Sequence, residues 1–135
     1  MKTLLLQAAA AALLCVAACS PAGHAGSAAE HGLRQDLKAV GEVVNFKETG
    51  TEKLQAAEGE AVLLRFESEV KWLTLDEAIA RSGGPGDTQE YFGKAQYVSE
   101  KLGAGPKAGR VELIKGAALM ARTDIGWIYK GLAEN

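Results

Sequence analysis

Between Ala61 and Trp72 the chain alternates with a period of two: Val62, Leu64, Phe66, Val70 and Trp72 are apolar, and Arg65, Glu67, Glu69 and Lys71 between them are charged. Successive side chains of a strand point to opposite faces, so this pattern demands a strand with one face on a core and the other in water. No other segment constrains the fold as strongly. At about 3.4 Å per residue such a strand runs roughly 40 Å, which predicts a bend or bulge within it, and Ser68 is the residue placed for one.

The elements around this strand are read from spacing and punctuation. Leu33, Leu37 and Val40 recur at helical spacing after Glu30, with polar residues between them, and predict a short amphipathic helix that stops at Gly41. Val43 to Lys47 reads as a first strand, Glu48 to Glu52 as a turn and Gln55 to Gly59 as a polar connection. After the long strand, Thr74-Leu75-Asp76-Glu77 has the Thr-x-x-Glu form of a capping box and predicts a helix of one to two turns before Gly83. Tyr91, Ala95, Val98 and Leu102 stripe a helix between Asp87 and Leu102, weakened by Gly93 at about 1 kcal/mol relative to Ala. The end divides into strands Arg110 to Ile114, Ala117 to Arg122 and Trp127 to Lys130, joined at Lys115-Gly116 and Asp124-Ile125-Gly126.

Five strands and one to three short helices give an α+β class: a small single domain with an antiparallel sheet, spanning residues 30–135. Trp72, Trp127, Phe46 and Phe66 are its large core candidates. No internal repeat is evident.

The N-terminus is of another kind. Lys2 is followed by an apolar run from Leu4 to Ala18, too short to span a bilayer comfortably, and then by small residues before Cys19. This is a secretory signal, removed rather than folded. The residues Val16-Ala17-Ala18-Cys19 match the lipobox, and here the chain resembles bacterial lipoproteins. The resemblance implies that the signal, residues 1–18, is cut before Cys19, that the cysteine carries a diacylglyceryl thioether and that its amine is acylated. A plain signal cut near Ala17 or Ala18 is the alternative. Several acyl chains make a lasting anchor where one binds reversibly. Cys15 leaves with the signal, so no disulfide is expected. Ser20, which follows the cysteine where inner-membrane retention commonly uses Asp, places the protein on the outer membrane facing the periplasm if the host is diderm. Residues 19–29 are then the lipidated cysteine and a tether, since Ser20 to Ala29 contain no large apolar residue. A coil of that length reaches about 17 Å.

Removal of residues 1–18 leaves 117 of the 135 residues and a net charge of −3. Nucleic acid is not an implied partner. The charge is nevertheless divided: residues 42–77 carry nine acids against four bases, and residues 94–130 seven bases against three acids. Either the two halves pair across one sheet, or Lys115, Arg122 and Lys130 form a candidate basic surface, with Lys94, Lys101, Lys107 and Arg110, turned to anionic lipid or an acidic partner.

Chemistry is bounded by what the predicted domain lacks. His24 and His31 are the only histidines and lie in the tether or at the edge of the first helix, so no triad, imidazole base or zinc site is expected. Neither glycine-rich segment has a phosphate-loop or dinucleotide pattern. No catalytic residue, cofactor or metal is assigned. Glu67 and Glu69 share a wet strand face with Arg65 and Lys71.

Two further resemblances concern the domain. The closing stretch from Gly109 to Trp127, preceded by the helix, Phe46-Lys47-Glu48-Thr49-Gly50 and the long strand, looks like small envelope lipoproteins of unassigned function. Gly126-Trp127-Ile128-Tyr129 is similar to the last strands of bacterial SH3-like modules, which bind cell-wall peptides. The expectation is a non-enzymatic, membrane-anchored envelope lipoprotein that binds a protein or cell-wall component near the membrane. The alternatives are an SH3-like cell-wall module or a histidine-independent enzyme, for which a pocket gathering Glu60, Glu67, Glu69 and Arg65 would speak.

Overall fold

The computed structural model describes residues 21–55, 59–82, 88–103 and 105–134. In chain order these form α1 (Pro21–Leu37), β1 (Gly41–Val43), β2 (Lys47–Leu54), β3 (Ala61–Trp72), α2 (Leu75–Ser82), α3 (Thr88–Leu102), β4 (Val111–Thr123) and β5 (Gly126–Ala133). All strand pairs are antiparallel: β1 and β2 lie one after the other along one side of β3, β4 along its other side, and β5 beside β4. The result is a small single α+β domain with five strands and three helices, the class expected from the sequence.

β3 has the predicted bounds, and its alternation sorts the faces as read: Leu64, Phe66, Val70 and Trp72 are buried and Arg65 and Glu69 exposed. No bulge interrupts β3 itself at Ser68. Register with β4 runs unbroken from Ala61↔Ala121 to Lys71↔Val111. The irregularity lies in the neighbouring strand, where the chain leaves the ladder between Val43 and Lys47. The fully buried Ser68 hydroxyl donates to the freed carbonyl of Asn45, while Asn45 Oδ1 accepts from the Glu69 amide at 3.0 Å. A short polar side chain on the core face thus satisfies a backbone group that the break exposes. A second irregularity, between Glu48 and Gly50, is also in β2.

Four further readings need correction. The segment expected as a tether is helical from Pro21, and Ala25 and Ala29 are buried in line with Leu33 and Leu37. Alanine favours helix, and its small side chain lets the helix lie close to the sheet. Gly32 has the same use, since a Cβ there would overlap the Tyr129 ring. The expected first strand breaks after Val43, leaving Val44 and Phe46 between two strands, and the expected turn at Glu48 to Glu52 is the middle of β2. Lys115-Gly116 is not a connection but the interior of β4: a Cβ on Gly116 would stand 2.8 Å from Leu102 Cδ2 and 3.1 Å from Phe66 Cζ. The glycine makes room for α3 on the strand instead of ending it. The two strands predicted there are one.

The helices behave as their signals require. Thr74 Oγ1 accepts from the Glu77 amide at 3.1 Å, and Glu77 Oε1 accepts from the Thr74 amide at 3.2 Å, closing the capping box at the start of α2. The Thr74 amide, and after it the Thr74 side chain, by hydrogen bonding to the Glu77 carboxylate hold that carboxyl below its usual pKa. α3 buries Val98 and Leu102 of the predicted stripe, and Tyr91 donates its hydroxyl to the Leu73 carbonyl at 3.1 Å. Both α1 and α3 pack on the face that presents Phe66 and Met120, and the core lies between. Of the four aromatic core candidates, Phe66 and Trp72 are buried, while Phe46 and Trp127 are half-buried against the core, Phe46 stacked on Phe66 at 5.2 Å.

Candidate functional site

The most highly connected polar group in the described structure is one the sequence did not single out. Asp36, in the last turns of α1, accepts from Lys94 Nζ at 2.7 Å through Oδ1, and from the hydroxyls of Tyr97 at 3.0 Å and Tyr129 at 2.7 Å through Oδ2. Tyr97 in turn accepts the Leu132 amide at 3.0 Å, and Lys94 Nζ stands 4.7 Å from the centre of the Tyr97 ring. One carboxylate therefore ties α1, α3 and β5 together. Burial, and then hydrogen bonding to the Asp36 carboxylate, push the Tyr129 hydroxyl far above the usual tyrosine range; Tyr97 is raised too, first by burial. Both phenols keep their protons and act as donors.

An open cleft of about 600 Å³ adjoins this node, lined in part by His31, Gln35, Asp36, Lys94, Trp127 and Tyr129. Trp127 Nε1 is buried there without a hydrogen-bond partner. The arrangement is a clamp: Asp36 is occupied by a cation and two phenols. No spacing rule could have found it, since Asp36, Lys94, Tyr97 and Tyr129 are scattered over 94 positions.

The residues singled out from the sequence fall elsewhere. Cys19, with the signal and lipobox, lies outside the described residues. Lys115 and Arg122 are seven residues apart on β4, whose register with β3 is unbroken over Val111 to Ala121, so they point to opposite faces; Lys130 sits at the irregularity of β5. The three do not share a face. Lys115 pairs instead with Glu67, its register partner, at 3.7 Å, and Arg122 with Glu60 at 3.4 Å. These two pairs join the basic half of the chain to the acidic half. Among the other bases of the candidate surface, Lys94 pairs with Asp36, Lys101 with Glu134 and Lys107 with Glu112. Glu60, Arg65, Glu67 and Glu69 are not gathered in one pocket: Arg65 pairs with Glu52 at 3.4 Å, and Glu69 is exposed on the open face. His31 lies on α1 beside the cleft; nothing is described of the His24 side chain.

Among the described residues no group of three or more His, Cys, Asp or Glu is placed to hold a metal ion, and no helix is long and apolar enough to cross a membrane. Among the described residues no helix is packed over the face of the sheet away from α1 and α3, and Val44 (53% exposed), Val111 (56%) and Leu113 (56%) stand on it at the Trp72 end. Comparison with known proteins gives no family: no family model, no curated protein and no solved structure matches the chain.

Proposed function

We propose that this protein is an envelope lipoprotein, cut before Cys19 and lipidated there, and that its domain binds a protein or cell-wall component without catalysing a reaction. The observation that carries the anchor is the lipobox Val16-Ala17-Ala18-Cys19 behind a signal-like run. With Ser20 after the cysteine, the protein stands on the outer membrane and faces the periplasm in a diderm host. Binding is supported by the open sheet face, where Val44 and Leu113 flank Glu69 and Val111 is the register partner of Lys71. Mixed apolar and charged surface of this kind suits a protein partner. The SH3-like reading has less support, because α2 and α3 are inserted between β3 and β4 and because Trp127 and Tyr129 pack on the helix-covered side. The enzyme reading lacks the shared pocket it called for.

Two measurements test this proposal. Cys19→Ser leaves an uncut precursor or a soluble form; a Cys19→Ser protein that matures and still fractionates with membranes refutes the anchor. A photo-reactive amino acid at position 113 cross-links an envelope component in the native host, and the same amino acid at position 90, on exposed α3 surface, does not. Equal or absent adducts at the two positions count against the open face as the binding surface.

A further inference from the structure

The cleft beside Asp36 is built from three elements. Ala28, His31, Gln35 and Ala39 recur at helical spacing along α1 and form one side, and Gly32 among them lies so close to the Tyr129 ring that a Cβ would overlap it. Glu90 and Lys94, four residues apart on α3, form a second side, and Trp127 and Tyr129 of β5 a third. Asp36 holds these elements together through Lys94, at 2.7 Å, and through the hydroxyls of Tyr97 and Tyr129. The cleft is therefore shaped before any ligand enters. Its volume of about 600 Å³ falls among ligand pockets, which span about 300–1,000 Å³.

Three polar side chains of its lining are uncommitted. Among the described residues His31, Gln35 and Glu90 make no side-chain hydrogen bond or ion pair, and all three are exposed. Trp127 adds an indole N–H that is buried without a partner, a rare state for such a donor. Lys94 is neutralised by Asp36, so the cleft has no lysine or arginine free for a phosphate or carboxylate, and the charge of Glu90 disfavours such anions further. What remains, an amide, a carboxylate and an imidazole, offers donors and acceptors together beside the Trp127 ring and the methyls of Ala28 and Ala39. A sugar has the matching form, because each hydroxyl both donates and accepts and the ring has an apolar C–H face that can lie on an aromatic wall. We propose that this cleft binds a neutral glycan, with His31, Gln35 and Glu90 taking its hydroxyl or acetamido groups and Trp127 its C–H face. In the envelope such a ligand is the glycan strand of the cell wall; that source rests on the location proposed above, whereas the chemistry of the cleft does not. The site is separate from the open sheet face, since Trp127 and Tyr129 pack on the side that carries α1.

The test titrates the whole mature chain, isotope-labelled and in detergent, with two neutral probes, tetra-N-acetylchitotetraose and cellotetraose. The two tryptophans give two indole N–H signals, assigned with Trp127→Phe, and the buried Trp72 is the internal reference. At least one sugar is expected to move the Trp127 signal saturably and to leave the Trp72 signal in place. Gln35→Ala combined with Glu90→Ala is expected to weaken that binding at least about tenfold while unfolding stays as in the natural protein, because both side chains are exposed and unpaired. Phe92→Ala, also exposed on α3, is expected to bind as the natural protein does. No shift at about 10 mM of either sugar, where even a dissociation constant of about 1 mM leaves the site mostly filled, overturns the proposal. Equal binding by the natural protein and the double variant overturns the site. A Trp127 shift with the charged stem peptide L-alanyl-D-glutamyl-diaminopimelate and with neither sugar overturns the glycan and assigns the cleft to a peptide. Fractionation of Cys19→Ser and the cross-link at position 113 test the envelope reading by other means, so either can fail without the other. The photo-reactive residue at position 90 replaces the carboxylate used here, and its lack of an adduct agrees with both.

Discussion

The two faces of the sheet are built from alternate residues of the same strands, and they are finished in different ways. On the covered face Leu64, Phe66, Val70, Trp72 and Met120 are packed under α1 and α3 until no water reaches them, and the polar groups that enter, Ser68 and Asp36, have their hydrogen-bond partners supplied. On the open face Arg65, Glu67 and Lys115 pair only at the surface, and apolar residues are left in contact with solvent at both ends. Covered positions therefore set stability, and open positions are free to serve contacts with other molecules. A substitution on one face should be felt in unfolding and on the other in binding.

The largest expected effect contrasts two adjacent residues. Phe66→Ala empties the space beside Phe46 and Leu102 and should cost about 3–5 kcal/mol, a large share of a small domain's stability. Glu67→Ala breaks only an exposed pair with Lys115 and should cost no more than about 0.5 kcal/mol. Thermal or denaturant unfolding measures both, and equal shifts would mean that the two faces do not differ in this way.

Tyr129→Phe should come next. It removes one of three donors from Asp36, a hydrogen bond to a charged group, at a cost of about 1.5–3 kcal/mol. The same variant sharpens the pH dependence. Because the folded state raises the Tyr129 pKa, the stability it supplies is complete below the unfolded value, about pH 10, and declines as pH rises above it, where the unfolded chain gives up the proton first. Unfolding measured from pH 8 to pH 11 should show this decline in the natural protein and a shallower one in Tyr129→Phe. Tyr97, also raised, contributes in the same direction.

Gly116→Ala is the smallest of the stability effects on the covered face. Its Cβ would press on Leu102 and Phe66, and overpacking of this kind costs about 1–3 kcal/mol. If Gly116→Ala left stability unchanged, the close approach of α3 to β4 would not be the reason for the glycine.

The sequence alone determined what depends on periodicity and local hydrogen bonding: the bounds and faces of β3, the capping box at Thr74, the stripe of α3 and the α+β class. Each needs only neighbours along the chain to be specified. Tertiary structure decided the elements whose partners are distant. β2, Lys47–Leu54, is an exposed edge strand with little alternation, so only pairing with β3 makes it a strand. The run from Pro21 to Ala29 looks like a linker until a sheet close enough to bury alanine is present. Gly116 reads as a break until Leu102 and Phe66 occupy the place of its side chain. The same holds for charge. Lys115 and Arg122 looked alike in a linear count, but an unbroken strand places residues seven apart on opposite faces, and the partner of each is set by register with β3 or by the chain leading into it. Asp36 belongs wholly to this second group, because its three donors come from two other elements and meet only when α1 lies across the folded sheet.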